Sequence, residues 1–264
     1  MPLTLELPVL PVAHARVLSI LGQQVASISE IVLVVESDPA LTAAVLRCAN
    51  SAASSPLSRI DTANNAIIRI GLSMTRRILT GAVINQTFRG IEQSGVDVDE
   101  LWRHLLMTAL LSEGATAEAG VRTAAFTAGL LHDIGRLAMA SSAPNDYRRV
   151  LELVAAGTAP ADSERIVFGF DHTDWGVEVG RAWEFPDEVV EAIAHHHDGG
   201  LSLAQRTVDA REIAWRLGAG DGIVRPDGPV LETSDRELAL LESLGGRAGL
   251  EKRVETYRGA ILVG

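Results

Sequence analysis

The chain has 264 residues, of which 47% are hydrophobic and 4% aromatic, and a formal net charge of −11. That apolar content excludes a mainly disordered protein, and the length allows one large domain or two small ones, each with a real core. The acidic balance argues against a nucleic-acid partner, because a phosphate backbone calls for a concentrated basic surface. With so few aromatics the core must be built from Ala, Val, Leu and Ile, and the abundance of Ala and Leu tilts the expectation toward helices. Arg69, Arg76 and Arg77 gather on one predicted helix and read as a solvated face rather than a phosphate site. The one cysteine, Cys48, cannot form an internal disulfide and reads as a small buried hydrophobe, which suits a reducing compartment.

The first eleven residues lack the basic start and long apolar run of a signal peptide. No stretch approaches the ~20 apolar residues of a membrane span. The expectation is a cytoplasmic protein with no membrane partner.

Ser27-Ile28-Ser29-Glu30 has the form of a capping box and precedes the apolar run Ile31–Val35. Ser37-Asp38-Pro39 stops that helix and starts another, with proline placed early where its missing N–H does no harm. Asp61 or Thr62 opens a further helix that Gly71 interrupts or ends, and a helix over 73–88 completes an N-terminal group. The polar stretch 90–99 is a natural boundary. Beyond it the pattern predicts helices over 99–119 and 122–140, the second with Gly129 inside it. Shorter ones follow over 145–156, 160–168, 173–183, 186–196 and 202–217. The Gly-, Asp- and Pro-rich segment 218–229 reads as a loop, and closing helices are expected over 234–244 and 250–257. No alternating strand pattern of useful length occurs. The fold class is all-α: a multi-helix bundle with an N-terminal helical subdomain over 1–95, a helical core over 96–220 and a C-terminal loop and helical extension over 221–264.

The chemistry sits in the histidines. His132-Asp133 lies within Ala128-Gly129-Leu130-Leu131-His132-Asp133-Ile134-Gly135-Arg136, and two polar side chains in so apolar a stretch are costly unless something satisfies them. A divalent metal would do so, since imidazole and carboxylate both donate to it, and a buried His–Asp hydrogen bond would do so equally. Glu100 and His104 are four apart and share a helix face. His172 follows Asp171 at a helix start, and His195-His196-His197 closes a later helix. Each has a plainer role as a core or helix-end histidine. His14 and His195 are given no ligand role.

Leu130-Leu131-His132-Asp133-Ile134-Gly135 resembles the signature of the HD superfamily of metal-dependent phosphohydrolases. Leu101-Trp102-Arg103-His104 resembles the segment bearing that family's first histidine. Three further segments narrow the match: Asp171-His172-Thr173-Asp174-Trp175-Gly176, then Trp183-Glu184-Phe185-Pro186, then Ala192-Ile193-Ala194-His195-His196-His197. With Glu36–Leu41, Leu46–Ala52 and Ala66–Gly71, the ordered series from about Leu7 to Gly220 is similar to HDOD domains, relatives of the HD-GYP phosphodiesterases of cyclic di-GMP.

That resemblance implies a bundle of HD-superfamily type and a divalent transition metal, iron or manganese. The implied ligands are His104, His132, Asp133, His172, His196 and His197, with Glu100 a further candidate. If the chain is an enzyme, Asp133 and Arg136 are its catalytic candidates, Arg136 occupying the place of a lysine thought to assist catalysis in HD-GYP enzymes. Two departures weigh against catalysis. The family's final aspartate aligns with Arg211, a cation that would repel metal, and Asp209 lies about 200° round the helix from the required face. The Gly-Tyr-Pro segment is replaced by Asp198-Gly199-Gly200-Leu201. The resemblance therefore implies a regulatory module, leaning non-catalytic, that contacts signalling proteins in trans. Its alternatives are a metal-dependent phosphohydrolase or phosphodiesterase, and a sensor for a nucleotide ligand.

Overall fold

The computed structural model describes residues 5–22, 27–51, 59–226 and 234–262. Ala52 and the end of the expected loop over 218–229 fall outside them. The described residues are helical, with no strand among them. They divide into two units, Val9–Thr87 with Lys252–Gly264, and Met1–Pro8 with Phe88–Glu251.

The first unit holds α1 (Val12–Gly22), α2 (Ile28–Glu36), α3 (Pro39–Ala49) and α4 (Ala63–Thr87), with the last turns of α14 (Gly246–Ile261). The capping box forms, the Ser27 amide donating to Glu30 Oε2 at 2.8 Å and the Glu30 amide to Ser27 Oγ at 3.3 Å. Asp38 caps α3 by accepting from the Ala40 and Leu41 amides. Gly71 breaks the helical path inside α4 at φ 78 and ψ 160, a backbone state that side chains rarely tolerate. The last carbonyls of α14 are satisfied from this unit. Arg47 Nη2 donates to Ala260 O at 2.7 Å and Asn85 Nδ2 to Ile261 O at 3.2 Å, which answers the usual problem of orphan acceptors at a helix end. Cys48 is buried in this core, and burial pushes its thiol up to about 11. Of the basic cluster, Arg77 is bonded to the Tyr257 hydroxyl at 3.1 Å. The α1 helix was not expected from the sequence; no acidic residue marks its first turn and no basic one its last.

The second unit runs through α5 (Val98–Gly114), α6 (Ala119–Leu131), α7 (Ile134–Ser142), α8 (Pro144–Ala155), α9 (Pro160–Phe168), α10 (His172–Ala182), α11 (Asp187–His195), α12 (Ser202–Arg216) and α13 (Asp235–Ser243). α5 pairs with α6, α12 packs on both, and α10 lies across α7 and α11. Its N-terminal strap is held by Trp183, whose indole N–H donates to Pro8 O at 2.9 Å while its ring stacks on Phe88.

Two expected boundaries need correction. The helix expected over 99–119 stops at Gly114, where the Ala115 and Thr116 amides turn back to Leu111 and Glu113 and Arg122 then bonds the Thr116 carbonyl. The helix expected over 122–140 is two helices, broken at His132-Asp133. His132 Nδ1 bonds the Gly129 carbonyl at 2.8 Å, three residues back. Asp133 takes φ −99 and ψ 22, and its carbonyl starts α7 by accepting from the Arg136 and Leu137 amides. The break turns the dyad off the helix surface and into the core.

Candidate metal centre

Five of the six implied ligands are buried: His104, His132 and His196 are 0% exposed, and Asp133 and His172 1%. They form two groups among the described residues, His104 with His132 and Asp133, and His172 with His196 and His197; only His197 is exposed. Asp133 joins the groups. Its Oδ2 lies 3.4 Å from His132 Nε2, and its Oδ1 lies 3.4 Å from His172 Nε2 and 3.3 Å from His196 Nε2. No hydrogen-bond partner reaches Asp133 Oδ1.

The proton arrangement decides whether these residues suit a cation. His104 Nδ1 faces the Ala219 carbonyl at 3.1 Å, His132 Nδ1 the Gly129 carbonyl, and His196 Nδ1 the Ile193 carbonyl at 2.8 Å. His172 Nδ1 faces Glu164 Oε2 at 2.6 Å. An oxygen acceptor at each Nδ1 places the proton there, so each Nε2 presents a lone pair. Those lone pairs meet head-on, His104 to His132 at 3.2 Å and His172 to His196 at 3.3 Å, while His197 Nε2 lies 2.9 Å from His172 Nε2. Facing lone pairs beside an unsatisfied carboxylate oxygen call for a cation between them, and the Nδ1 anchors are the outer contacts that orient metal-bound imidazoles. The residues present fit a divalent metal.

Protonation cannot easily replace it. Burial and then His132 push the His104 imidazole down to about 4, and burial and then Arg211 push His197 to about 4. His196 is also pushed well below its ordinary value, chiefly by burial. These groups take up protons more readily in the unfolded chain, so the metal-stripped protein is most stable above pH 6.5 and loses stability as pH falls from there toward 4. Thermal melts of the stripped chain at pH 7 and 4.5 should differ by on the order of 5 °C or more, since each kcal/mol is worth roughly 2–4 °C at this size. Equal midpoints would mean that the imidazoles are not neutral in the fold.

Three acidic side chains surround Arg136, which is itself 1% exposed. Its Nη1 donates to Asp133 Oδ2 at 2.8 Å and Asp221 Oδ2 at 3.2 Å, and its Nε lies 3.7 Å from Glu164 Oε1. Burial alone would raise the Asp133 carboxyl, but Arg136 beside it holds it well below the usual range. Glu164 also accepts from the His172 amide and the Tyr147 hydroxyl.

Sequence reasoning did not single out Asp221 or Glu164. Asp221 sits among the glycines of 218–222, where loop composition hides its burial; its Oδ1 accepts from the Ile223 and Val224 amides and leaves Oδ2 for Arg136. Glu164 lies beside the apolar Ile166, Val167 and Phe168, a context that could have marked it as a buried acid. Glu100 is held outside both groups. Its Oε1 accepts from the Gly220 amide at 2.7 Å, so it fixes the loop that carries Asp221. His14 pairs with Asp38 in the other unit, and His195 is exposed beside Asp198.

The HDOD domain model matches residues 7–199, nearly three quarters of the chain. The chain belongs to the HDOD family. This HDOD chain is similar to an HDOD domain protein of unknown function from Geobacter sulfurreducens, at 24% identity with a TM-score of 0.71, covering 97% of this chain and 92% of that one. It is also similar to a protein assigned as a phosphohydrolase from Shewanella amazonensis SB2B, at 22% identity and a TM-score of 0.68, covering 96% and 92%. A third likeness is to a protein assigned to signal transduction from Marinobacter aquaeolei VT8, at 23% and 0.69, covering 97% of this chain but 58% of that one. At these identities the likenesses establish the fold. Among curated proteins it matches an uncharacterized protein of Treponema pallidum (strain Nichols), 22% identical over 197 residues. That stretch covers 73% of this chain and 38% of the relative's length.

Proposed function

We propose that this HDOD chain is a signal-transduction module that works through contacts with other signalling proteins in trans, and that its HD-type centre is kept as a cation site rather than as a hydrolase. His104, His132, Asp133, His172, His196 and His197 would hold the metal, with iron or manganese suited to a mixed imidazole and carboxylate set. When bound, a divalent cation supplies Lewis-acid polarisation and activation of a water.

The observation that carries the non-catalytic reading is Arg211. It stands where the resemblance expects an acidic ligand, and its charge bears directly on His197, the exposed member of the set. Arg136, the nearest candidate for a proton donor, is an arginine tied to three carboxylates, and its guanidinium holds its proton well above the ordinary range. The phosphohydrolase alternative, of cyclic di-GMP phosphodiesterase type, draws its support from the gathering of the six ligand candidates into two groups that Asp133 joins.

Hydrolysis of bis(p-nitrophenyl) phosphate and of cyclic di-GMP by manganese- or iron-loaded protein separates the two. The expected result is no turnover above that of an Asp133→Ala control. Metal-dependent turnover that this substitution abolishes would establish the enzyme and overturn the regulatory reading.

A further inference from the structure

Glu164 on α9 is 0% exposed and lies outside both ligand groups, yet both of its oxygens are engaged. Its Oε2 accepts from the His172 amide at 2.9 Å and meets His172 Nδ1 at 2.6 Å, and its Oε1 accepts from the Tyr147 hydroxyl at 2.8 Å. Gly169, at φ 90, ends α9 and turns the chain so that His172 returns to Glu164. A carboxylate buried this deeply is costly, and an amide side chain there would satisfy the same partners without a charge. Arg136 offsets part of the cost, its Nε lying 3.7 Å from Oε1, but the shortest contact goes to His172.

The anchors of the buried imidazoles are not alike. His104, His132 and His196 face main-chain carbonyls at 3.1, 2.8 and 2.8 Å, which orient the rings without adding charge. His172 faces a carboxylate, at the shortest of the four distances. A carboxylate that accepts the Nδ1 proton raises electron density at Nε2 and makes that nitrogen the better donor to a cation. Because the same oxygen also holds the His172 amide, ring and backbone are fixed together at the first turn of α10.

We propose that Glu164, held in place by Tyr147, is a positioning residue that sets the donor strength of His172 and with it the affinity of the His172, His196 and His197 group for a divalent cation. This rests on the cation reading above and adds residues outside the ligand set that govern it. Glu164 touches no metal and acts through His172. Tyr147 acts one step further out, by fixing the carboxylate.

The test uses the full chain, freed of metal and titrated with Co2+ by calorimetry, with the hyperfine-shifted Nδ1 protons of the bound imidazoles read in the 1H spectrum. Glu164→Gln keeps the shape and an acceptor for His172 but removes the charge. It should bind Co2+ about 10- to 100-fold more weakly, and one imidazole proton signal should move while the others hold. Glu164→Asp, which restores the charge at shorter reach, should recover part of the affinity, and Tyr147→Phe should weaken binding less than Glu164→Gln does. Wild-type affinity in a folded Glu164→Gln, or a Glu164→Asp no better than Glu164→Gln, overturns the inference and leaves the cation reading standing. So does a displacement of all the proton signals together, the mark of a merely structural role. If Glu164→Gln does not fold, wild-type affinity in both Glu164→Asp and Tyr147→Phe overturns the inference equally. Failure of wild type to take up Co2+, Mn2+ or iron overturns the cation reading and this inference with it.

Discussion

Gly135→Ala is expected to prevent the Phe88–Glu251 unit from folding stably. A Cβ placed on Gly135 would lie 1.9 Å from the His172 carbonyl oxygen and 2.6 Å from the Gly176 amide nitrogen. Both are backbone atoms, so no side-chain rotation relieves the overlap; α7 and α10 must move apart. That motion separates Asp133, at the start of α7, from His172, at the start of α10, so the ligand cluster opens with the crossing. The loss should exceed about 4 kcal/mol, the range reserved for disruptive core changes. Gly120→Ala is the control. It lies in α6 with nothing within 4 Å of an added Cβ, and should be neutral or stabilise by up to about 1 kcal/mol. Urea unfolding of the two variants measures the contrast. A Gly135→Ala protein within about 1 kcal/mol of wild type would show that the crossing is looser than described.

Arg136→Met should be the most damaging change among the charged residues. The substitution roughly keeps the volume but strips the cation from between Asp133, Asp221 and Glu164. Removing one partner from a buried ion pair costs about 3–5 kcal/mol, because the remaining charge has neither water nor a counter-ion. Here three carboxylates are left, so the upper end of that range is expected in metal-free protein. A divalent metal should recover part of the loss, since it restores positive charge beside Asp133 and stabilises the state that binds it. Denaturant midpoints with and without Mn2+ read both effects. A loss below about 1 kcal/mol would mean that these carboxylates are protonated in the fold and that Arg136 is not their counter-charge.

The legible parts of this molecule are those written in local chemistry. Ser27 and Glu30, or Asp38 followed by Pro39, announce helix starts by groups that satisfy backbone amides within a few residues, and the structure places helices there. Gly71 likewise marks a break that its positive φ explains. The ligand candidates were legible as an ordered series of motifs, whose convergence depends on the packing of α5, α6, α10 and α11. What was not legible depends on distant partners. The break at His132-Asp133 is hidden in an apolar run with helix-forming leucines on one side, and it arises where His132 bonds a carbonyl and Asp133 turns to its cluster. Asp221 looks like any acid in a glycine-rich loop until Glu100, Arg103 and His104 tie that loop to α5. Glu164 gains its meaning only from Tyr147, His172 and Arg136, none of them its neighbours in the chain.

On the proposed reading a cation lies between the facing imidazole nitrogens and the unsatisfied Asp133 oxygen. Metal analysis of untagged protein, purified without chelator beside His132→Ala, tests it most directly. Near-stoichiometric iron or manganese is expected in the wild type, and its loss in a still-folded variant. A wild-type chain that stays folded and metal-free after incubation with iron and manganese would contradict it.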